Sequence, residues 1–247
     1  GTMADKSYKS YRQQLNILRS RGMVIGKGSQ GSRVMRILER ENYYNVINGY
    51  KELFLASKAT ATADEAYKTG TTFDEVYALY NFDRELRNIY LKYLLKLENT
   101  FKTVIAHEFS AKYGHDNYLK IENFDNSTER NISSSIKLIG DIQQEIARQM
   151  SKHHQVVTHY ITEHGYIPLW VLVNVLTFGK IENFSVLGIV RAADGSYTYG
   201  TNDAYAIAIM FALLLSKSDL NDFISSMRTA FGKLQKQLHT ISAADIM

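Results

Sequence analysis

The chain has no cysteine in its 247 residues, which excludes disulfides and thiolate metal sites. Proline is almost as scarce. Pro168 is the only one, and folds built on tight turns and edge strands normally recruit more. Long hydrophobic runs are missing too. The two longest, 168–178 and 204–215, reach about half of the ~20 residues that a membrane span needs, so no membrane segment is expected. The first residues, Gly1 to Asp5, lack the basic and apolar regions of a secretory signal. Gly1-Thr2 before Met3 reads as an expression scar, residues 1–7 as a disordered start, and the location as cytoplasmic. Neither sign of charge dominates: 29 Lys and Arg face 25 Asp and Glu, for a net +4. That balance suits a polyanionic partner without requiring one.

What is present is helical periodicity. Hydrophobic residues at 45% and charged ones at 22% describe an ordinary globular chain. Tyr11, Leu15 and Leu18 repeat at helical spacing within 8–23. A Gly-rich turn at 26–31 ends at Ser32, a cap for a helix to Arg40, and a tyrosine-rich helix is expected over 42–56. Residues 57–72 are polar and read as a loop. The strongest helix is expected from about Phe73 to about Tyr113, where Val76, Leu79, Leu86, Tyr90, Leu94, Leu97, Phe101, Ile105 and Phe109 recur every three or four residues. Gly114 is its stop. Further helices are expected over 126–150, 153–163, 168–187, 201–216 and 218–241, with Ser218-Asp219 as a cap for the last. No period-two strand and no internal repeat appears. The fold class is all-α: an N-terminal helical region (8–56), a loop (57–72) and a larger helical domain (73–247) that form one unit.

Three motifs need weighing. Gly26-Lys27-Gly28-Ser29-Gln30-Gly31 spells G-x-G-x-x-G, but no strand precedes it and no βαβ pattern follows, so it reads as a helix–helix turn. His153, His154, His159, Glu163 and His164 lack convergent ligand spacing and read as a solvated, pH-sensitive surface rather than a metal site. The third constellation lies on the long helix, where Asp83, Arg87 and Glu98 share the apolar stripe of Tyr90, Leu94 and Phe101. Charges there are either paired for packing or face a cleft. Asp83 and Arg87, at i, i+4, can pair with each other. Glu98 then asks for an Arg or Lys, most simply from another helix. The residues leave an ion-pair network and an active-site cleft both open.

Several blocks, in order along the chain, carry a family resemblance. They are 14–22 (QLNILRSRG), Asn42-Tyr43-Tyr44 through Gly49-Tyr50, 70–76 (GTTFDEV), 79–87 (LYNFDRELR), Leu97-Glu98-Asn99, His159-Tyr160, Pro168-Leu169-Trp170, 176–180 (LTFGK) and the stretch from 213 to 239. Together they resemble the Abi-like (AbiD/AbiF-type) abortive-infection proteins of bacterial phage defence, which are similar to HEPN helical domains. The resemblance implies a HEPN-like bundle, a homodimer, RNA as partner and no cofactor or metal. Active HEPN members bring an R-x(4–6)-H motif from each subunit into a shared RNA-cleaving cleft. His there acts as general acid or base toward the ribose 2′-hydroxyl and leaving oxygen, and Arg steadies the phosphate charge. An acidic or polar neighbour orients them, the role implied for Glu98 or Asp83.

This chain departs from that pattern. After the 176–180 segment it reads Ile189-Val190-Arg191-Ala192-Ala193-Asp194-Gly195-Ser196-Tyr197-Thr198-Tyr199. Arg191 fits the motif arginine, and Tyr197 and Tyr199 fit the expected sequel. Ala193, or Ala192, stands where the histidine belongs, and none follows Arg191 before His239. The segment from Phe184 to Arg191 is also shorter than the family's. A replaced catalytic His, an omitted segment and a naturally inactive member all fit. The expectation is an RNA-binding effector of endoribonuclease type, restrained by a small non-coding RNA in a toxin–antitoxin arrangement. This chain would lack the catalytic His. The alternatives are a non-catalytic RNA-binding scaffold and a phage-sensing protein-interaction module. Candidate RNA contacts are Arg12, Arg19, Arg21, Arg33, Arg36 and Arg40, with Lys102, Tyr197 and Tyr199. Tyr43 and Tyr44 are candidates for stacking on bases, against the alternative of core tyrosines.

Overall fold

The computed structural model describes residues 8–177, 179–180 and 214–246. The described elements are α1 (Tyr11–Ser20), α2 (Ser29–Glu41), a π turn (Tyr44–Asn48), a 3₁₀ turn (Lys51–Phe54), β1 (Leu55–Ser57), β2 (Ala66–Tyr67), α3 (Phe73–Tyr113), α4 (Glu129–Ser151), α5 (Gln155–His164), α6 (Leu169–Leu172) and α7 (Lys217–Gln237), with further 3₁₀ turns between them. The all-α expectation holds. It needs one correction: β1 and β2 form a small antiparallel pair, Leu55 opposite Tyr67 and Ser57 opposite Ala66, inside the stretch expected to lack strands.

Contacts divide the chain into two units. Unit 1 comprises residues up to Leu91 and from Asn221, and unit 2 comprises Lys92–Leu220. In unit 1, Leu15 and Leu18 of α1, Val34 and Leu38 of α2, and Phe73, Val76 and Leu79 of α3 pack with Phe54, Ala230 and Leu234. In unit 2, Ile105 and Phe109 of α3 meet Leu138 and Ile142 of α4, Val157 of α5, and Leu169 and Leu172 of α6. Each fully buried side chain of this size contributes on the order of 1.5–3 kcal/mol.

Local chemistry explains most boundaries. α3 opens with a capping box: the Glu75 N–H donates to Thr72 Oγ1 at 3.3 Å, and the Thr72 N–H donates to Glu75 Oε2 at 3.2 Å. It stops at Gly114, whose φ of +90° a side chain would resist. α4 is capped by Thr128, which accepts from the Asn131 N–H at 3.1 Å. α7 is capped by Ser216 rather than Ser218, since the Asp219 N–H donates to Ser216 Oγ at 3.0 Å.

The Gly-rich turn at 26–31 behaves as expected between two helices, but α2 starts at Ser29 rather than at Ser32. Gly28, at φ +68°, makes the entry, and no side chain caps it. The helix expected over 42–56 is replaced by the π and 3₁₀ turns and β1. Asn42, at φ +66°, breaks the helical path there. Of the helix expected over 168–187, α6 and the turns to 177 are described. The expected helix at 201–216 falls almost wholly outside the described residues.

Candidate nucleic-acid interface

The six arginines singled out on the first two helices have unequal freedom. Arg19 is turned inward: its guanidinium donates to the carbonyls of Ile25 at 3.1 Å and Gly26 at 2.6 Å, closing the Gly-rich turn. Arg21 is held by Asp64 at 2.9 Å and by Glu65 at 2.5 Å. Burial opposes its charge, yet the hydrogen bond to Asp64 and the nearby carboxylates hold its pKa above the ordinary guanidinium value. Glu65, itself buried, also accepts from Lys51 at 2.6 and 2.7 Å. Nothing in the linear sequence marks Lys51 and Glu65 as a pair.

Arg33, Arg36 and Arg40 are exposed on α2. Their spacing of i, i+3, i+7 places them within about 60° around the helix axis. Arg33 rests on Asp74 at 2.6 Å, while Arg36 and Arg40 make no ion pair among the described residues. Arg12 is exposed on α1. Nearby, a groove of about 260 Å³ is lined by Tyr11, Gln14, Glu39, Asn42 and Tyr43, among others. Tyr43 is half-buried, whereas the ring of Tyr44 is 69% exposed.

The three charges singled out on α3 each have a partner. Arg87 meets Asp83 at 2.9 Å, and Asp83 accepts from the Tyr50 hydroxyl at 2.6 Å. Burial, then the bond to the carboxylate, pushes the Tyr50 hydroxyl up to about 12. Tyr50 therefore stays a donor at neutral pH and fixes Asp83, which presents Arg87 with its guanidinium 65% exposed. A fixed, exposed guanidinium is suited to a phosphate. Glu98 finds its cation on its own helix, not on another: Lys102 lies 2.8 Å away at i, i+4. Asp83 and Glu98 are thus anchors of separate pairs.

Two further carboxylates escaped the sequence. Glu145 is buried and accepts from Arg148 at 2.5 Å and Gln149 at 2.7 Å, with Lys180 at 3.5 Å. Those partners, the Arg148 hydrogen bonds first, hold its carboxyl down at about 2. Glu75 is fully buried, and its Oε1 accepts from the N–H groups of His239 and Thr240, both at 2.7 Å, and from Thr240 Oγ1 at 2.9 Å. Burial opposes its ionisation, but these bonds keep its pKa below the ordinary value. The His-rich patch forms no group of metal-ligand type among the described residues, and no helix among them is long and apolar enough to cross a membrane. Arg191, Ala193, Tyr197 and Tyr199 lie outside the described residues.

Comparison with known proteins gives one positive result. The family model described as Abi-like protein matches residues 36–242. No curated protein and no solved structure matches the chain.

Proposed function

The chain belongs to the Abi-like protein family, whose name denotes abortive infection, and on that premise we propose that it is a phage-defence effector that binds RNA. The observation that carries this reading is the exposed face of Arg33, Arg36 and Arg40 on α2, two of them without an acidic partner among the described residues. Such a face neutralises phosphates without reading sequence. Arg87, held out by Asp83, supplies a further cation.

The catalytic part of the proposal rests on likeness to HEPN proteins. Arg191 is assigned to the phosphate, and position 193 to the general acid or base. With Ala193 in that place, this chain binds RNA without cutting it, and its partner is a small non-coding RNA. The same reading takes the molecule as a homodimer, which the sequence of α3 supports. A second copy of the helix, antiparallel about the midpoint of residues 92 and 93, sets Leu94 against Leu91, twice by symmetry. Leu91 and Leu94 are 56% and 43% exposed.

The test is to purify the chain from cells, measure its mass by light scattering, and extract and sequence any bound nucleic acid. A discrete small RNA supports the reading. Arg36→Glu with Arg40→Glu then weakens binding and lowers the salt slope by about 1.5. An RNA-free preparation that ignores added RNA overturns it and points to a protein trigger. A monomeric mass removes the dimer.

A further inference from the structure

On unit 2 the rings of His159, Tyr160, His164, Tyr166, His115 and Trp170 follow one another, with successive centroids 5.7, 5.5, 6.3, 5.1 and 5.8 Å apart. All are exposed except Tyr160, which is half-buried. The fold holds them in place. His159, Tyr160 and His164 ride on α5. The Leu169 N–H donates to the His115 carbonyl at 2.9 Å, which ties the residue after the α3 stop to the start of α6. α6 buries Leu169 and Leu172 completely and so turns Trp170 outward, 52% exposed. An indole has one of the largest apolar surfaces to gain from burial, and the fold leaves this one half in water.

Trp170 also lines a groove of about 450 Å³ with Val173, Ala106, Lys102, His107 and Asn174. That volume lies within the range of roughly 300–1,000 Å³ usual for small-ligand clefts. The Asn174 amide donates to the carbonyls of Trp170 at 3.0 Å and Val171 at 3.3 Å. Its Oδ1 keeps no partner among the described residues. The groove therefore offers a flat π face and an acceptor in its lining, with His107 and the Glu98-bound Lys102 among its walls.

We propose that this strip of rings is a stacking platform for unpaired bases of single-stranded RNA, with one base seated on Trp170 in the groove. The proposal rests on the RNA-binding reading above and deepens it. Stacking on aromatic faces is how proteins hold single strands without sequence preference, because every base has a π face. The composition of the strip favours this over a protein partner. Half of its rings are imidazoles, which stack on unpaired bases and hydrogen-bond their edges, and none of its members is aliphatic.

Trp170 is the only tryptophan in the chain, so its emission reports on this groove alone. The experiment titrates the full chain with a single-stranded oligoadenylate of about ten nucleotides. It follows tryptophan emission together with the anisotropy of a labelled copy of the same RNA. The expected result is quenching that saturates with binding. Trp170→Ala weakens affinity about 5- to 150-fold, Trp170→Phe restores most of it, and binding of duplex RNA stays unchanged. Tyr166→Ala, which keeps the fluorophore, weakens binding and reduces the quench.

RNA binding with unquenched emission and unaltered affinity in Trp170→Ala overturns the platform and leaves the RNA reading standing. An equal loss toward duplex RNA also overturns it. Emission that follows protein concentration instead of RNA identifies a self-contact and overturns it. Absence of any RNA binding overturns both.

Discussion

In unit 1 the buried carboxylates reach far along the chain: Glu65 joins Arg21 and Lys51, and Glu75 takes three donors from His239 and Thr240. In unit 2, Glu145 takes most of its partners from the next helical turn, and Glu98 takes Lys102 from its own helix. The same residue type therefore does two jobs. In unit 1 it decides which segments meet. In unit 2 the apolar core does that, and the acids mainly trim the helix on which they sit. A unit assembled by its core can leave rings on its surface, as unit 2 does from His159 to Trp170.

The largest effect on unit 1 is expected at Glu75. Glu75→Ala strands the N–H groups of His239, Thr240 and Thr72, and should destabilise unit 1 by about 3–5 kcal/mol. Urea unfolding followed by hydrogen exchange checks this, with lost protection concentrated in unit 1. A loss below about 1 kcal/mol would mean that the apolar core alone organises that unit. Acidification comes next. The carboxyls of Glu75 and Glu145 both have lowered pKa values in the fold, the latter at about 2. Their contribution is complete above the unfolded carboxylate value of about 4.3 and is lost as pH falls toward 2. Melting temperatures should therefore decline across that window, and a flat profile there would contradict the pairing described. The smallest effect is expected at Glu98→Gln. Its side chain is 30% exposed and its partner lies on the same helix, so the change should cost under about 0.5 kcal/mol.

The helices of unit 2 were legible because their cores repeat every three or four residues. α3 runs over Phe73–Tyr113, in agreement with the approximate bounds expected, and α4 (Glu129–Ser151) falls within a residue or three of the expected 126–150. The stretch from Asn42 to Tyr67 was not legible. Its tyrosines mimic a helical pattern, while strands of two and three residues are too short for alternation to show. Of the candidate site, the exposure of Arg36 and Arg40 follows from the spacing of Val34 and Leu38. The internal use of Arg19 and Arg21 does not, because carbonyls of a turn and an acid some 44 residues away leave no local sign. Trp170 is readable as a motif residue but not as an exposed one, since its exposure follows from the burial of Leu169 and Leu172 on the other side of α6.

The bond from Glu75 to Thr240 also sets a timetable. The helices α1 and α2 of unit 1 are synthesised before unit 2, yet the buried Glu75 of α3 takes donors from residues 239 and 240, and the core of unit 1 needs Ala230 and Leu234. The 129 residues of unit 2 come between, which at about 5–20 residues per second is roughly 6–26 s of synthesis. Through that interval the arginine face of α2 is carried on an unfinished unit, and it reaches its final setting only as translation passes residue 240.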